Sequence, residues 1–192
     1  RWVLHTRPIE RTILVAGTIV ILVVPFLVEN RTSRSGAIQL LTLDVGNGSC
    51  HVVTGPSGSV LLDAGSSSIR STAHRIVLPA LHSSGIRSLD AVIITHANLD
   101  HFAAVGDLLA RIPLERILIG ESFMKRMQSE PDGAAASLIH LAQAWSVPVE
   151  EIHAGDVRNI GGMRWRFLHP KRDSVWKLEN DSSLVVRVED PG

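Results

Sequence analysis

The sequence predicts an α+β protein, a four-layer αββα sandwich of two sheets covered outside by helices, preceded by one transmembrane helix. Three observations carry that expectation. Short β-branched runs at 50–54, 60–63 and 89–95 alternate with helix-period stretches at 71–84, 102–111 and 134–146. Glycine and proline turn signals separate them. The most β-branched run then breaks off into a cluster of histidines and a carboxylate, at the strand end where layered sheets place ligand chemistry.

Composition sets the frame. The chain has 192 residues, formal net charge zero and 45% apolar residues, enough for one domain with its own core. Balanced charge argues against a strongly basic surface overall and leaves room for a local patch. The single cysteine, Cys50, excludes an internal disulfide, and no zinc-finger spacing occurs. The chain begins at Arg1 rather than Met and is expected to be a piece of a longer protein.

Residues 12–28 (TILVAGTIVILVVPFLV) carry no charge and are fenced by Arg11 and Glu29. As a helix they would span about 26 Å, the short end for a bilayer core. No small-residue cleavage site follows, so a transmembrane helix is expected rather than a removed signal. Arg1, Arg7 and Arg11 precede the run, whereas Arg31 and Arg34 follow it. The positive-inside rule then places 1–11 on the cytoplasmic side and residue 35 onward outside. Residues 29–36 read as a polar linker, and 37–192 as the folded domain.

Within that domain, 38–44 reads as a strand ending in the turn Asp44-Val45-Gly46-Asn47-Gly48. Residues 50–54 and 60–63 form a hairpin around Gly55-Pro56-Ser57-Gly58. Residues 71–84 form a helix kinked at Pro79, with His74 and His82 as non-ligands. A central strand (89–95) and a helix (102–111) follow. Further strands are expected at 116–119, 149–152, 163–168 and 184–188, with a helix at 134–146. Turns at Gly155-Asp156 and Gly161-Gly162 punctuate the second half. His51, His140 and His153 have no supporting spacing.

The chemistry concentrates in 91–104, AVIITHANLDHFAA. Ala91–Ile94 is a buried strand by composition. With a helix starting near Asp100, Asp100 and His101 project from its first turn, while His96 and Asn98 hang from the loop. Imidazole nitrogen with carboxylate oxygen suits zinc, manganese or iron. The competing role is plain capping of the next helix by Asn98 or Asp100.

THANLDH resembles the HxHxDH or HxDxDH signature of the metallo-β-lactamase fold. LTLDVGNGSC (41–50), VLLDAG (60–65), GIRSLDAVIITHANLDHF (85–102), RFLHP (166–170) and NDSSLVVRV (180–188) together resemble ComEC/Rec-type competence proteins. Those are the membrane channels for incoming DNA in natural transformation. The resemblance runs from about residue 38 to the last residue, in the family's order.

The resemblance implies a metallo-β-lactamase-like domain in a bacterial inner membrane protein, with residues 35–192 extracytoplasmic. It implies metal ligation by His96, Asn98, Asp100 and His101, with His169 as a further candidate. Asp100 and His101 carry the catalytic expectation. Asp44 would support the active-site face, and Asp63 would orient the metal loop. Two divalent ions, zinc or manganese, would activate water and clamp a phosphodiester. The implied partners are DNA, the membrane and other DNA-uptake proteins, with no nucleotide cofactor.

Two features depart from the family. The middle ligand is Asn98, whose neutral amide suits a hard cation better than zinc. Ala103 and Ala104 stand where small residues including glycine are common, and are expected to crowd a close backbone approach. A later TGD turn and HHG segment do not occur up to Gly192, so the domain is expected to be incomplete at its C-terminus. Two alternatives remain: a catalytically degenerate domain with a structural or DNA-binding role, and a hydrolase of a small ester, thioester or lactam. Asn98 favours the first, and the apolar run ahead of LDVGNG disfavours the second.

Overall fold

Six strands in chain order make the main sheet. The computed structural model describes residues 36–190. The strands are β1 (Gln39–Thr42), β2 (Cys50–Thr54), β3 (Ser59–Ala64), β4 (Ala91–Ile94), β5 (Ile117–Gly120) and β6 (Val149–Ile152). β1, β2 and β3 pair antiparallel, whereas β3 through β6 pair parallel. A second, antiparallel sheet contains β7 (Val157–Ile160), β8 (Met163–His169) and β9 (Val185–Glu189).

Burial follows position in the sheet. β4 and β5 lie between parallel neighbours and are buried at every residue, as their unbroken apolar sequence requires. β1 is the antiparallel edge and is exposed throughout. The helices are α1 (Leu78–Ser83), α2 (Leu99–Phe102), α3 (Val105–Leu109), α4 (Glu121–Ser129) and α5 (Ala134–Ala144). They share one core with the main sheet, joining Leu61, Val92, Ile94 and Ile119 to Leu81, Leu108, Phe123 and Leu138. The opposite face supplies Val60, Ile93 and Leu118 to a second core with Met163, Trp165 and Phe167 of β8. Burying a side chain of that size stabilises by about 2–3 kcal/mol. No helix residue among those described joins the second core. Among the described residues the layers are therefore helix, sheet and sheet, three of the four expected.

Several elements differ from expectation. Helix 71–84 opens with a π-helical turn, Ala73–Val77, before α1. Pro79 sits in the first turn of α1, directly after the π-helical turn, so the irregularity in the helix falls where the backbone N–H is missing. The expected helix 102–111 is two short helices, α2 and α3, whose start at Leu99 brings the metal loop itself into helix. Helix α4 and strand β7 had no counterpart in the sequence reading. α4 is mostly polar (ESFMKRMQS) and buries only Phe123, so its apolar stripe is too thin to see. β7 is four residues long and half polar. The hairpin 50–64 forms as expected, closed by Gly55 N–H donating to the Gly58 carbonyl at 2.9 Å.

No helix among the described residues is long and apolar enough to cross a membrane. The expected span at 12–28 lies outside them.

Candidate metal centre

The site forms at the C-terminal ends of β3 and β4. Asp63, the next-to-last residue of β3, is buried and has a left-handed backbone with φ 56°. Aspartate is one of few residues that tolerate this region. The twist turns its carboxylate under the loop after β4. There Oδ1 accepts the Thr95 backbone N–H at 2.8 Å, and Oδ2 accepts the Thr95 hydroxyl at 2.9 Å. Oδ2 also lies 2.7 Å from His101 Nδ1. Asp63 is therefore the hub of the loop, acting through Thr95 and His101.

That contact orients His101. Its Nδ1–H donates to Asp63, which turns Nε2 outward, 3.9 Å from Asp100 Oδ2. Burial pulls the His101 pKa down. The hydrogen bond and charge of Asp63, with the charge of Asp100, outweigh it, and the pKa rises above the ordinary histidine value. The His96 ring is buried with its centroid 4.0 Å from that of His101. His96 Nδ1 lies 3.0 Å from the Thr95 hydroxyl and 3.2 Å from Ser183 Oγ.

Two glycines let the loop lie where it does. A Cβ on Gly65 would stand 2.5 Å from the Leu99 carbonyl oxygen and 2.6 Å from the His101 nitrogen. One on Gly48 would stand 2.8 Å from the Asp100 carbonyl oxygen. Both are far inside van der Waals contact. Ser49 N–H donates to that Asp100 carbonyl at 3.0 Å, locking the LDVGNG turn behind the loop. The close approach is thus at Gly48 and Gly65. Ala104 does not obstruct it, since Ala104 is buried and its N–H donates to the Ala64 carbonyl at 2.9 Å. Phe102 packs edge-on against Phe123 of α4, centroids 5.1 Å apart, and braces the loop from the helical side.

The remaining candidates fall in different places. Asn98 occupies the N-cap position of α2 without capping it; its Nδ2 donates to Asn180 Oδ1 at 3.1 Å. Asp44 is exposed, and its Oδ1 accepts the Gly46 N–H at 3.0 Å, building its own turn. His169 Nε2 lies 2.8 Å from the Asp181 carbonyl, with its ring 4.6 Å from that of Trp176. His74, His82 and His140 are exposed. His51 meets Thr42 Oγ1 at 3.0 Å, and His153 sits between Glu151 and Arg172. Thr95, Asn180 and Ser183 were not anticipated at the site. Thr95 had a legible signal in its place at the strand end, whereas Asn180 and Ser183 meet their partners across more than eighty residues.

The donors are those of a metal site, and the fit is partial. Asp100 Oδ2 and His101 Nε2 face each other at a separation one cation can bridge, with His96 adjacent. Among the described residues no three His, Cys, Asp or Glu side chains stand in metal-holding geometry.

This fold, with an Asp-braced histidine loop at the strand ends, defines a metallo-β-lactamase-type domain. The model described as the metallo-beta-lactamase superfamily matches residues 43–189, and the chain belongs to that superfamily, whose members typically bind divalent metals such as zinc. It is similar to the ComE operon protein 3 of Bacillus subtilis strain 168, 29% identical over 174 residues. That match covers 83% of this chain and 21% of the relative, so the chain spans about a fifth of that protein's length. The domain is in this sense ComEC-like. Its fold is similar to that of an archaeal metallo-β-lactamase superfamily protein from Sulfolobus tokodaii, with TM-score 0.51 and 19% identity. The similarity covers 79% of this chain and 60% of that one.

Proposed function

We propose that this is the metallo-β-lactamase-like domain of a DNA-uptake membrane protein, and that it hydrolyses DNA phosphodiesters with divalent metal. The observation that carries the reading is His101, held by Asp63 so that Nε2 faces Asp100. Similarity to a ComE operon protein supports the DNA context, and the uncharged run at 12–28 supports a place in the bacterial inner membrane with residues 35–192 outside.

Asp100 and His101 would hold an ion, with His96 as the third donor from this chain. Bound there, zinc or manganese, as one ion or a pair, would supply Lewis acidity toward water and phosphate. Asp63 fixes the His101 tautomer, Thr95 ties Asp63 to the β4 end, and the Gly48 and Gly65 contacts hold Asp100 in place. Release of label from a DNA substrate should need added zinc or manganese and should vanish in Asp100→Ala. Metal-dependent cleavage that persists in that variant sinks the assignment.

A second reading is favoured by Asn98. Its amide is engaged by Asn180, and the loop supplies no complete three-ligand group. A domain that binds DNA without cutting it fits those facts. Weak or absent zinc and manganese binding by the purified chain, together with DNA binding and no turnover, would favour it.

A further inference from the structure

Two cavities adjoin on the helical side of the metal loop. One, about 470 Å³, lies beside Asn98, Asp100 and Glu130. The other, about 440 Å³, lies between α4 and the chain after β8, lined by Lys125, Trp176 and Lys177. Arg126 lines both. Joined at Arg126, the two cavities place Asp100 at one end, three cations along the way and an indole at the other end.

We propose that the groove they make binds a single-stranded polynucleotide, with Trp176 as its stacking platform. The proposal rests on the DNA reading above and places the strand. Trp176 is 37% exposed, and the His169 ring backs it at 4.6 Å while it lines the cavity. A supported, open aromatic face takes an unpaired base of any sequence, whereas the bases of a duplex are already stacked on one another. Lys125 and Arg126 reach the groove from α4, and Lys177 from the opposite wall, so cations flank the space on both sides. Glu121 holds Lys125 at 2.6 Å and Glu130 holds Arg126 at 2.7 Å, each one turn along the helix. Such exposed pairs are weak, so they position the cations and yield to a phosphate. Val175 and Leu178 beside Trp176 are exposed as well, and anionic vesicles, tried beside the oligonucleotide, separate a membrane contact from a strand in the groove.

The test is binding of a fluorescein-labelled oligo(dT) of about ten nucleotides to the whole chain in non-ionic detergent. EDTA is present throughout, which keeps metal-dependent cleavage out of the readout. Trp176→Ala should weaken binding about tenfold. Lys125→Gln with Lys177→Gln should flatten the slope of log affinity against log salt by about 1.4. Arg187→Gln, on the outer face of the second sheet, should leave the affinity within about twofold, since it removes only a distant charge. Thermal unfolding of each variant checks that the fold is kept. Wild-type binding that all groove variants retain overturns the groove and leaves the DNA reading standing. No binding by wild type, even at about 50 mM salt, overturns both. A hairpin duplex that competes as well as the single strand overturns the stacking platform. Anionic vesicles that bind through Trp176, where the oligonucleotide does not, overturn the proposal in favour of a membrane contact.

Discussion

The two walls of the site are built on different principles. The rear wall, from Gly48 and Asp63 to Thr95 and His101, is backbone against backbone with a buried carboxylate at its centre. The front wall, the chain between β8 and β9, reaches the same loop through one backbone bond, Leu184 N–H to the Thr95 carbonyl at 2.8 Å, and otherwise through side chains, Asn180 to Asn98 and Ser183 to His96. The rear cannot shift without distorting the sheet. The side-chain bonds of the front can be exchanged one at a time. The rear wall therefore sets where the histidine and carboxylate donors stand, and the front wall sets what surrounds them.

The sharpest way to break this contrast is Gly65→Ala. The new Cβ would meet the backbone of Leu99 and His101, which no rotamer change relieves. Overpacking against backbone costs about 3 kcal/mol or more. The melting temperature should fall by roughly 6–12 °C for a domain of this size. A variant that melts within a degree or two of wild type would show that the rear wall is soft.

Asp63→Asn comes next. It keeps the shape and removes the charge that holds His101 Nδ1–H. Stability should drop by about 1–3 kcal/mol in urea unfolding, because a buried polar group loses its partner. Zinc affinity, read by competition with a chromophoric chelator, should fall by about 10–100-fold, the usual cost of losing such an orienting partner. Unchanged affinity would mean that Asp63 braces the fold without orienting His101.

The same contrast explains what could be read from the chain. The rear wall is local in sequence: LDVGNG, LDAG and THANLDH each close a strand, and glycine next to aspartate signals a turn beside a ligand loop. Their order and spacing carried the family assignment and singled out His96, Asp100, His101 and Asp63, which the fold brings to one loop. The front wall leaves no such trace. In sequence Asn180 and Ser182 read as turn builders; the turn is in fact closed by Ser183, whose N–H and hydroxyl both donate to the Asn180 carbonyl. Nothing in NDSSLVV points across eighty residues to a histidine. Helix α4 was missed for a similar reason, because its one buried aromatic, Phe123, matters through Phe102 rather than through its own period. Asp44 looked equivalent to Asp63 in sequence, yet one is exposed and the other buried, a difference set by the sheet.

Cys50 offers a milder probe of the rear wall. It lies at the start of β2 against Asp63, and burial followed by that charge pushes its thiol up to about 12. The unfolded thiol ionises near 8.5. A group whose folded pKa is raised stabilises fully below the unfolded value and loses that contribution as pH rises toward the folded one. Stability should thus decline from about pH 8.5 upward by as much as about 1.4 kcal/mol per pH unit. The chain contains no tyrosine, so no phenol titrates in that window. Cys50→Ala should flatten the decline in urea unfolding between pH 8 and 10. An identical slope in both proteins would place the titration elsewhere.

The smallest effect is expected at the front wall, and its smallness is what the comparison requires. Ser183→Ala removes the hydroxyl that meets His96 Nδ1 at 3.2 Å and bonds the Asn180 carbonyl at 2.8 Å. His96 keeps its contact with Thr95 Oγ1, and Asn180 keeps the Ser183 backbone N–H, so neither buried group is stranded. The loss is that of ordinary half-exposed hydrogen bonds, about 0.5–1.5 kcal/mol. Zinc affinity should change by less than about threefold, because Asp63 and Thr95 still orient the loop. A loss as large as that of Asp63→Asn would show that the front wall positions the donors too, and the division between placing the donors and surrounding them would have to be abandoned.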